Sequence, residues 1–191
     1  MFKKNVLTVF IVMVIASFTL SAESDKSVTS ALFFQYSLDN NFRQIDSVGA
    51  YMRSSQFNDI QVGSSFGATF ELPIGYNNDK MSIKYSGFGG VSIRFKVQGI
   101  DNQLTIGPSI AATLISDTYY RVMLFDLGVF VDMANSYRIS EKVDATMGCS
   151  FIYDVFRYSF FETASANATI GAEQDFSQLS GKIYLGFSVS K

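Results

Sequence analysis

The sequence predicts an all-β protein: an eight-stranded antiparallel transmembrane β-barrel behind a cleaved signal peptide. Three observations predict it. Beyond position 22 the apolar residues recur with a period of two, the alternating stretches are unusually long, and the composition is too aromatic and too poorly charged for an ordinary soluble domain. The chain has 191 residues, 48% of them hydrophobic, with 19 Phe and 10 Tyr. Only 17% are charged, 15 Lys and Arg against 17 Asp and Glu, where soluble domains hold about a quarter. The near-neutral balance carries no basic footprint for nucleic acid. Histidine is absent and cysteine is single. Those two facts remove His-based catalysis, a His or thiolate metal centre and an internal disulfide framework, and no cofactor is expected.

The first element is an address. Lys3 and Lys4 precede an almost wholly apolar run, Val6 to Leu20, and Ser21 and Ala22 follow it before the polar Glu23, Ser24, Asp25 and Lys26. That is the layout of a secretory signal peptide. The run is too short to span a bilayer, which takes about 20 residues. Residues 1–22 are therefore expected to leave after Ala22, with Leu20 larger than the usual small residue at its position. Residues 23–191 form the barrel domain, with 13 basic and 17 acidic residues, a net charge of −4.

The strands follow in order. Leu32, Phe34 and Tyr36 alternate with Ala31, Phe33, Gln35 and Ser37. The region 44–57 is the faintest: Val48, Ala50 and Met52 against Gly49, Tyr51 and Arg53. Next come Phe66 to Ile74, Tyr85 to Val97, Leu104 to Leu114, Phe125 to Ala134 and Val143 to Phe156. The last is the cleanest, with Leu179, Gly181, Ile183, Leu185, Phe187 and Val189 on one face and Ser180, Lys182, Tyr184, Gly186, Ser188 and Ser190 on the other. Most exceed the ~5–6 residues of a soluble strand and match the ~9–11 of a tilted transmembrane one. One face is large and apolar, the other small, polar or charged. Lipid outside and a polar lumen inside fit that division; a soluble barrel with a greasy core is the alternative.

Turn-like clusters separate the strands. With both termini on the periplasmic side, outer loops fall at 39–47, 76–82, 116–120 and 159–176, and periplasmic turns near 54–61, 98–103 and 135–142. Pro108 lies within a strand and cannot donate a ladder bond, so a bulge is expected there. Tyr119, Tyr120, Tyr153, Tyr158, Phe160 and Phe161 gather at three neighbouring strand ends, the pattern of an interfacial girdle.

The charges Glu71, Lys84, Arg94, Lys96, Asp126, Asp132, Asp144, Asp154 and Lys182 share the lumen parity. Lys or Arg on the lipid face would cost about 2–4 kcal/mol near the midplane, so they are expected to line the lumen as a network. Hairpin counting sets Glu71 beside Lys84, Asp154 opposite Lys182 and Asp132 opposite Asp144. Arg94 and Lys96 are expected to reach the last two across the bore. Such a network either plugs the lumen, which eight strands barely leave open, or lines a narrow solute path. Cys149 shares parity with Met147 and Phe151 and is expected to face lipid. Arg121 and Arg157 share that parity and are expected to snorkel at the outer strand ends.

On these alternating segments, residues 23–191 resemble the small eight-stranded outer-membrane barrels of double-membraned bacteria: the outer-membrane protein X and W types and the barrel domain of outer-membrane protein A. The last strand carries Gly181, Tyr184, Gly186 and Phe187 but ends in Val189, Ser190 and Lys191, without the terminal aromatic on which such barrels close. The resemblance implies the cell outer membrane as location. It implies outer-membrane lipid and the barrel-assembly machinery as partners, and host or surface ligands reached through the outer loops. The enzymes among such barrels depend on a catalytic His, which this chain lacks, so a non-enzymatic structural or surface-interaction barrel is expected. A narrow porin-like or W-type channel for small or apolar solutes and an exported lipocalin-like binder are the alternatives.

Overall fold

The computed structural model describes residues 25–37, 45–74, 81–116, 120–163, 169–174 and 178–190. The signal segment, Tyr119 and most of the outer loops lie outside these residues. Among the described residues there are nine strands: β1 (Asp25–Ser37), β2 (Ile45–Phe57), β3 (Val62–Pro73), β4 (Met81–Val97), β5 (Ile100–Ser116), β6 (Tyr120–Arg138), β7 (Val143–Thr163), β8 (Thr169–Gln174) and β9 (Gln178–Ser190). Each neighbour pair is antiparallel, and β9 closes on β1, which pairs the edges that an open sheet would leave there. The barrel has eight staves. β8 pairs with the far end of β7 and β9 with its near half, so β8 and β9 share the last stave. The span 159–176, expected as one loop, is thus largely strand on both sides.

Closure fixes the tilt. Following Cα partners from Thr29 leads through Arg53, Gly67, Phe88, Ser109, Gly128 and Asp154 to Gln178. Thr29 itself pairs with Ser188 on the same strand, ten residues further along. A stagger of that size on eight strands tilts them by roughly 35–45° and leaves a bore that side chains fill.

One end of the barrel holds Asp25, Ser190 and the tight turns; we call it the turn end, and the opposite one the loop end. Gln98 and Gly99 both have positive φ, 50° and 84°, which matches the twist of a two-residue hairpin. In the β2–β3 turn, Asn58 accepts the Val62 amide on its side-chain oxygen at 2.9 Å. The β6–β7 turn is closed by the Ile139 and Ser140 amides, both donating to the Val143 carbonyl at 3.0 Å. At 19 and 21 residues, β6 and β7 are about twice the length that crosses a bilayer, and with β8 they extend the wall at the loop end.

Pro108 causes no bulge. It keeps register with Val129 on β6. Its missing N–H falls on the β4 side, where pairing passes from Phe88–Ser109 to Val91–Ile106. Glycines fill that gap: a Cβ on Gly107 would strike the Gly89 carbonyl, so only glycine permits so close an approach. The register shifts occur instead at Gln35/Tyr36 and at Leu127/Gly128. In the second, Leu127 pairs with Phe156 and Gly128 with Asp154, leaving Val155 as the extra residue.

The two faces are inverted relative to a soluble barrel. Leu32 is 71% exposed and Leu185 62%, and Met52, Leu72, Tyr85, Ile110, Met133 and Phe151 continue this outward belt round the other staves. Buried positions are dominated by Ser, Thr, Asp and a few ion-paired long chains. A greasy-core binder requires the reverse.

Candidate functional site: the filled lumen

Strand parity delivers one inward side chain every second residue, and the eight staves bring these into stacked layers. Towards the turn end lies a belt of hydroxyls, one from each stave. Thr29, Ser188, Thr146 and Ser136 are joined in sequence at 2.7, 2.7 and 2.9 Å. Ser55, Ser65, Ser92 and Thr105 form the other arc at 2.8, 2.6 and 2.8 Å, and the Gln103 amide donates to three of them. Mutual pairing makes these buried polar atoms tolerable.

Above the belt, Arg53 on β2 crosses the bore to Asp132 on β6, Nη1 to Oδ2 at 2.6 Å. Asp132 also accepts from the Tyr184 hydroxyl at 3.0 Å, from the Tyr51 hydroxyl at 3.4 Å and from Ser150. Directly above runs an aromatic diaphragm. Tyr184 stacks on Tyr51 at 4.4 Å between centroids, Tyr51 on Phe88 at 5.5 Å, and Phe88 meets Phe130 at 4.7 Å. Small residues make room for the rings. A Cβ on Gly67 would collide with the Phe88 ring and one on Gly148 with Tyr184.

Towards the loop end, Lys182 on β9 reaches over the Phe33 ring, 4.8 Å from its centroid, and pairs with Glu71 on β3. Glu71 also accepts from Thr69 at 3.0 Å and Ser86 at 3.2 Å. Highest is a two-bond fork from Arg157 to Asp126, Nε–Oδ1 2.6 Å and Nη2–Oδ2 2.9 Å.

The expected lumen charges divide accordingly. Glu71, Asp126, Asp132, Asp144, Asp154 and Lys182 are buried. Lys84 is half-buried and, as expected, sits opposite Glu71 in the ladder, although the carboxylate bonds to Lys182. The other two hairpin expectations are corrected. Asp154 pairs with Gln178, and Lys182 with Ser150, because β7 and β8 continue past the presumed loop and shift the fold point. Asp132 pairs with Ser150, and Asp144 with Arg138, because the tight turn lies at 139–142. The cations found on Asp132 and Asp144 are Arg53 and Arg138. Arg94 Nε donates to Gln61 at 2.7 Å. Lys96 is exposed at the turn end, 3.8 Å from Asp101.

Arg157 is also corrected: it lies inside. The Val155 bulge reverses parity along the rest of β7, turning Arg157 towards Asp126. The same reversal puts Tyr158 and Phe160 outside, where their rings lie 4.7 Å apart and Phe160 meets Phe125 edge-on at 5.7 Å. Tyr120 is half-buried at the start of β6, and Phe161 pairs with Val122 in the ladder. Tyr153 is exposed on the outward face but sits within β7, ten residues short of its end. Arg121 is exposed, and Cys149 is half-buried beside outward Met147 and Phe151. Arg53, Tyr51, Tyr184, Phe88 and Phe130 are central to the lumen but do not stand out as site residues in the sequence. Their inward parity is the available signal, weakest for Arg53 and Tyr51 in the faint second strand.

No protein-family profile and no curated protein matches this chain. Solved structures do. A major outer membrane protein from Thermus thermophilus is similar with a TM-score of 0.66 at 11% identity, over 89% of this chain and 100% of that one. OprG from Pseudomonas aeruginosa gives 0.60 at 7% identity, over 88% and 96%. Neisserial surface protein A gives 0.55 at 14% identity, over 87% and 96%. At such identities the likeness is one of fold, and by fold this chain is similar to the small outer-membrane β-barrels.

Proposed function

We propose that this protein is a bacterial outer-membrane barrel with a sealed lumen, a non-enzymatic scaffold that acts through the surfaces it presents. Residues 1–22 act as the export signal, the turn end faces the periplasm and the loop end the exterior. The outward apolar belt meets lipid, with Tyr158 and Phe160 as interfacial aromatics. The assembly machinery and ligands at the outer surface are the partners this reading implies.

The observation that carries it is the pairing of charge within the bore. Among the described residues, the four deep carboxylates Glu71, Asp126, Asp132 and Asp154 are balanced by Arg53, Lys84, Arg157 and Lys182, and the diaphragm lies between the ionic layers. Selective conduction uses rings of one sign along an open path; a neutral, ring-filled bore offers neither. The absence of His from the chain leaves the lumen serines without a base suited to neutral pH. The test is reconstitution into liposomes, after compact gel mobility before boiling has verified the folded barrel. Swelling in small sugars at the rate of empty liposomes is expected. Rapid swelling refutes the sealed lumen and supports the channel.

A further inference from the structure

Near the turn end the outward wall is indented. Tyr137 on β6, Ala145 on β7 and Phe187 on β9 are ladder partners in one row. The two rings are 67% and 58% exposed, and the residue between them offers only a methyl group. Two strand spacings, roughly 9–10 Å, separate the backbones that carry the rings. A trough of about 410 Å³ lies between them, and Met147 and Leu185 continue its apolar lining. With a side chain on each bank it is too narrow for a helix, about 10 Å across, and suits a single extended hydrocarbon chain.

Asn135 departs from that lining. It is exposed on the outward face and borders the trough, with Tyr137 next towards the turn and Met133 next towards mid-wall. Its carboxamide has no hydrogen-bond partner among the described residues. The carboxamide of its Cα partner, Asn102, is turned back to the Ile100 carbonyl at 2.9 Å. A polar group on an apolar wall is costly unless something there bonds to it. The turn that joins β6 to β7 carries Lys142, exposed and without an ion-pair partner among the described residues. The neighbouring Glu141 borders the polar space at the mouth of the lumen instead. Cation, carboxamide and apolar trough therefore follow one another from the turn towards mid-wall. A glycerophospholipid with its headgroup at that end has complementary parts in the same order: phosphate, ester carbonyls and acyl chain.

We infer that the trough binds one glycerophospholipid. Its phosphate lies at Lys142, an ester carbonyl accepts from Asn135 Nδ2, and one acyl chain runs over Ala145 between Tyr137 and Phe187. The inference rests on the reading of the outward belt as lipid-facing and adds a particular site to it. The test is native mass spectrometry of the folded barrel released from detergent micelles. Dioleoyl phosphatidylglycerol is titrated, and separately dioleoylglycerol, which lacks the phosphate. One saturable phosphatidylglycerol per barrel, above a statistical background of further lipid, is expected, with weaker retention of dioleoylglycerol. Ala145→Phe, which fills the trough, should abolish the saturable step. Asn135→Leu should weaken it roughly two- to tenfold, the range of one hydrogen bond. Ile93→Phe, at an exposed outward position on β4, should leave it unchanged. A purely statistical distribution on the unsubstituted barrel overturns the inference, as does an equal saturable step in Ala145→Phe or equal retention of dioleoylglycerol. Dimers that Ala145→Phe dissolves would assign the trough to a second copy and overturn it too. Recovery of the chain in the aqueous phase without detergent would instead refute the lipid-facing reading itself. The titration of the unsubstituted barrel decides the matter even where a variant fails to fold.

Discussion

Arg53 and Asp132 stand on opposite staves, and their side chains meet across the whole bore at 2.6 Å. Every wall segment between β2 and β6 is therefore tied to the distance this pair can span. Two charges taken out of water are tolerable only while both are present. Asp132→Ala strands a buried guanidinium and should lower stability by about 3–5 kcal/mol. The double change Arg53→Met, Asp132→Leu should recover most of that loss. Urea unfolding from liposomes measures both; a loss under about 1 kcal/mol for Asp132→Ala contradicts a tie across the bore.

The Val155 bulge decides which way Arg157 points. Deleting Val155 alone removes the extra residue and leaves Arg157 facing Asp126 in plain alternation, whereas deleting Val155 and Phe156 together turns Arg157 towards lipid and leaves Asp126 buried without its fork. The double deletion should unfold at clearly lower urea than the single one, which keeps Arg157 inward. Equal stability of the two variants would mean that the bulge does not set the parity.

Glycine at 148 is required by the Tyr184 ring lying over it. Gly148→Ala is expected to cost about 1–3 kcal/mol, the range for overpacking, and less in a Tyr184→Ala background where the ring is gone. Additive effects of the two substitutions in chemical unfolding would show that ring and glycine are not in contact.

Strand pairing at the last stave is open to chemical test. Tyr153 and Leu179 are Cα partners on the outward face. In a Cys149→Ser background, cysteines at 153 and 179 should oxidise to a crosslink with a shifted gel mobility. Cysteines at 153 and 183, the partners implied by placing Asp154 opposite Lys182, should not. The opposite result would restore the register expected from hairpin counting.

Much of this arrangement is legible in the chain itself, because a period-two pattern assigns every residue a side without any knowledge of contacts. The inward burial of Glu71, Asp126, Asp132 and Lys182 follows from parity alone. The Glu71–Lys84 register also follows, since hairpin counting places that fold point correctly. Parity cannot see an inserted residue, which is why it puts Arg157 on the wrong face. Nor does it locate a fold point when strand-like residues continue through polar sequence, as Thr169–Gln174 does in β8. Contacts across the bore join residues up to 113 positions apart and depend on stagger, which appears only on closure. Arg53 with Asp132 and Lys182 with Glu71 are of that kind.

The sealed lumen is tested most directly by single-channel recording in a planar bilayer. The unsubstituted protein is predicted to show no discrete conductance steps. A variant that removes the diaphragm and its ionic partner together, Tyr51→Ala with Tyr184→Ala and Asp132→Ala, should show steps if it inserts folded. Stable, discrete conductance from the unsubstituted barrel would contradict the account.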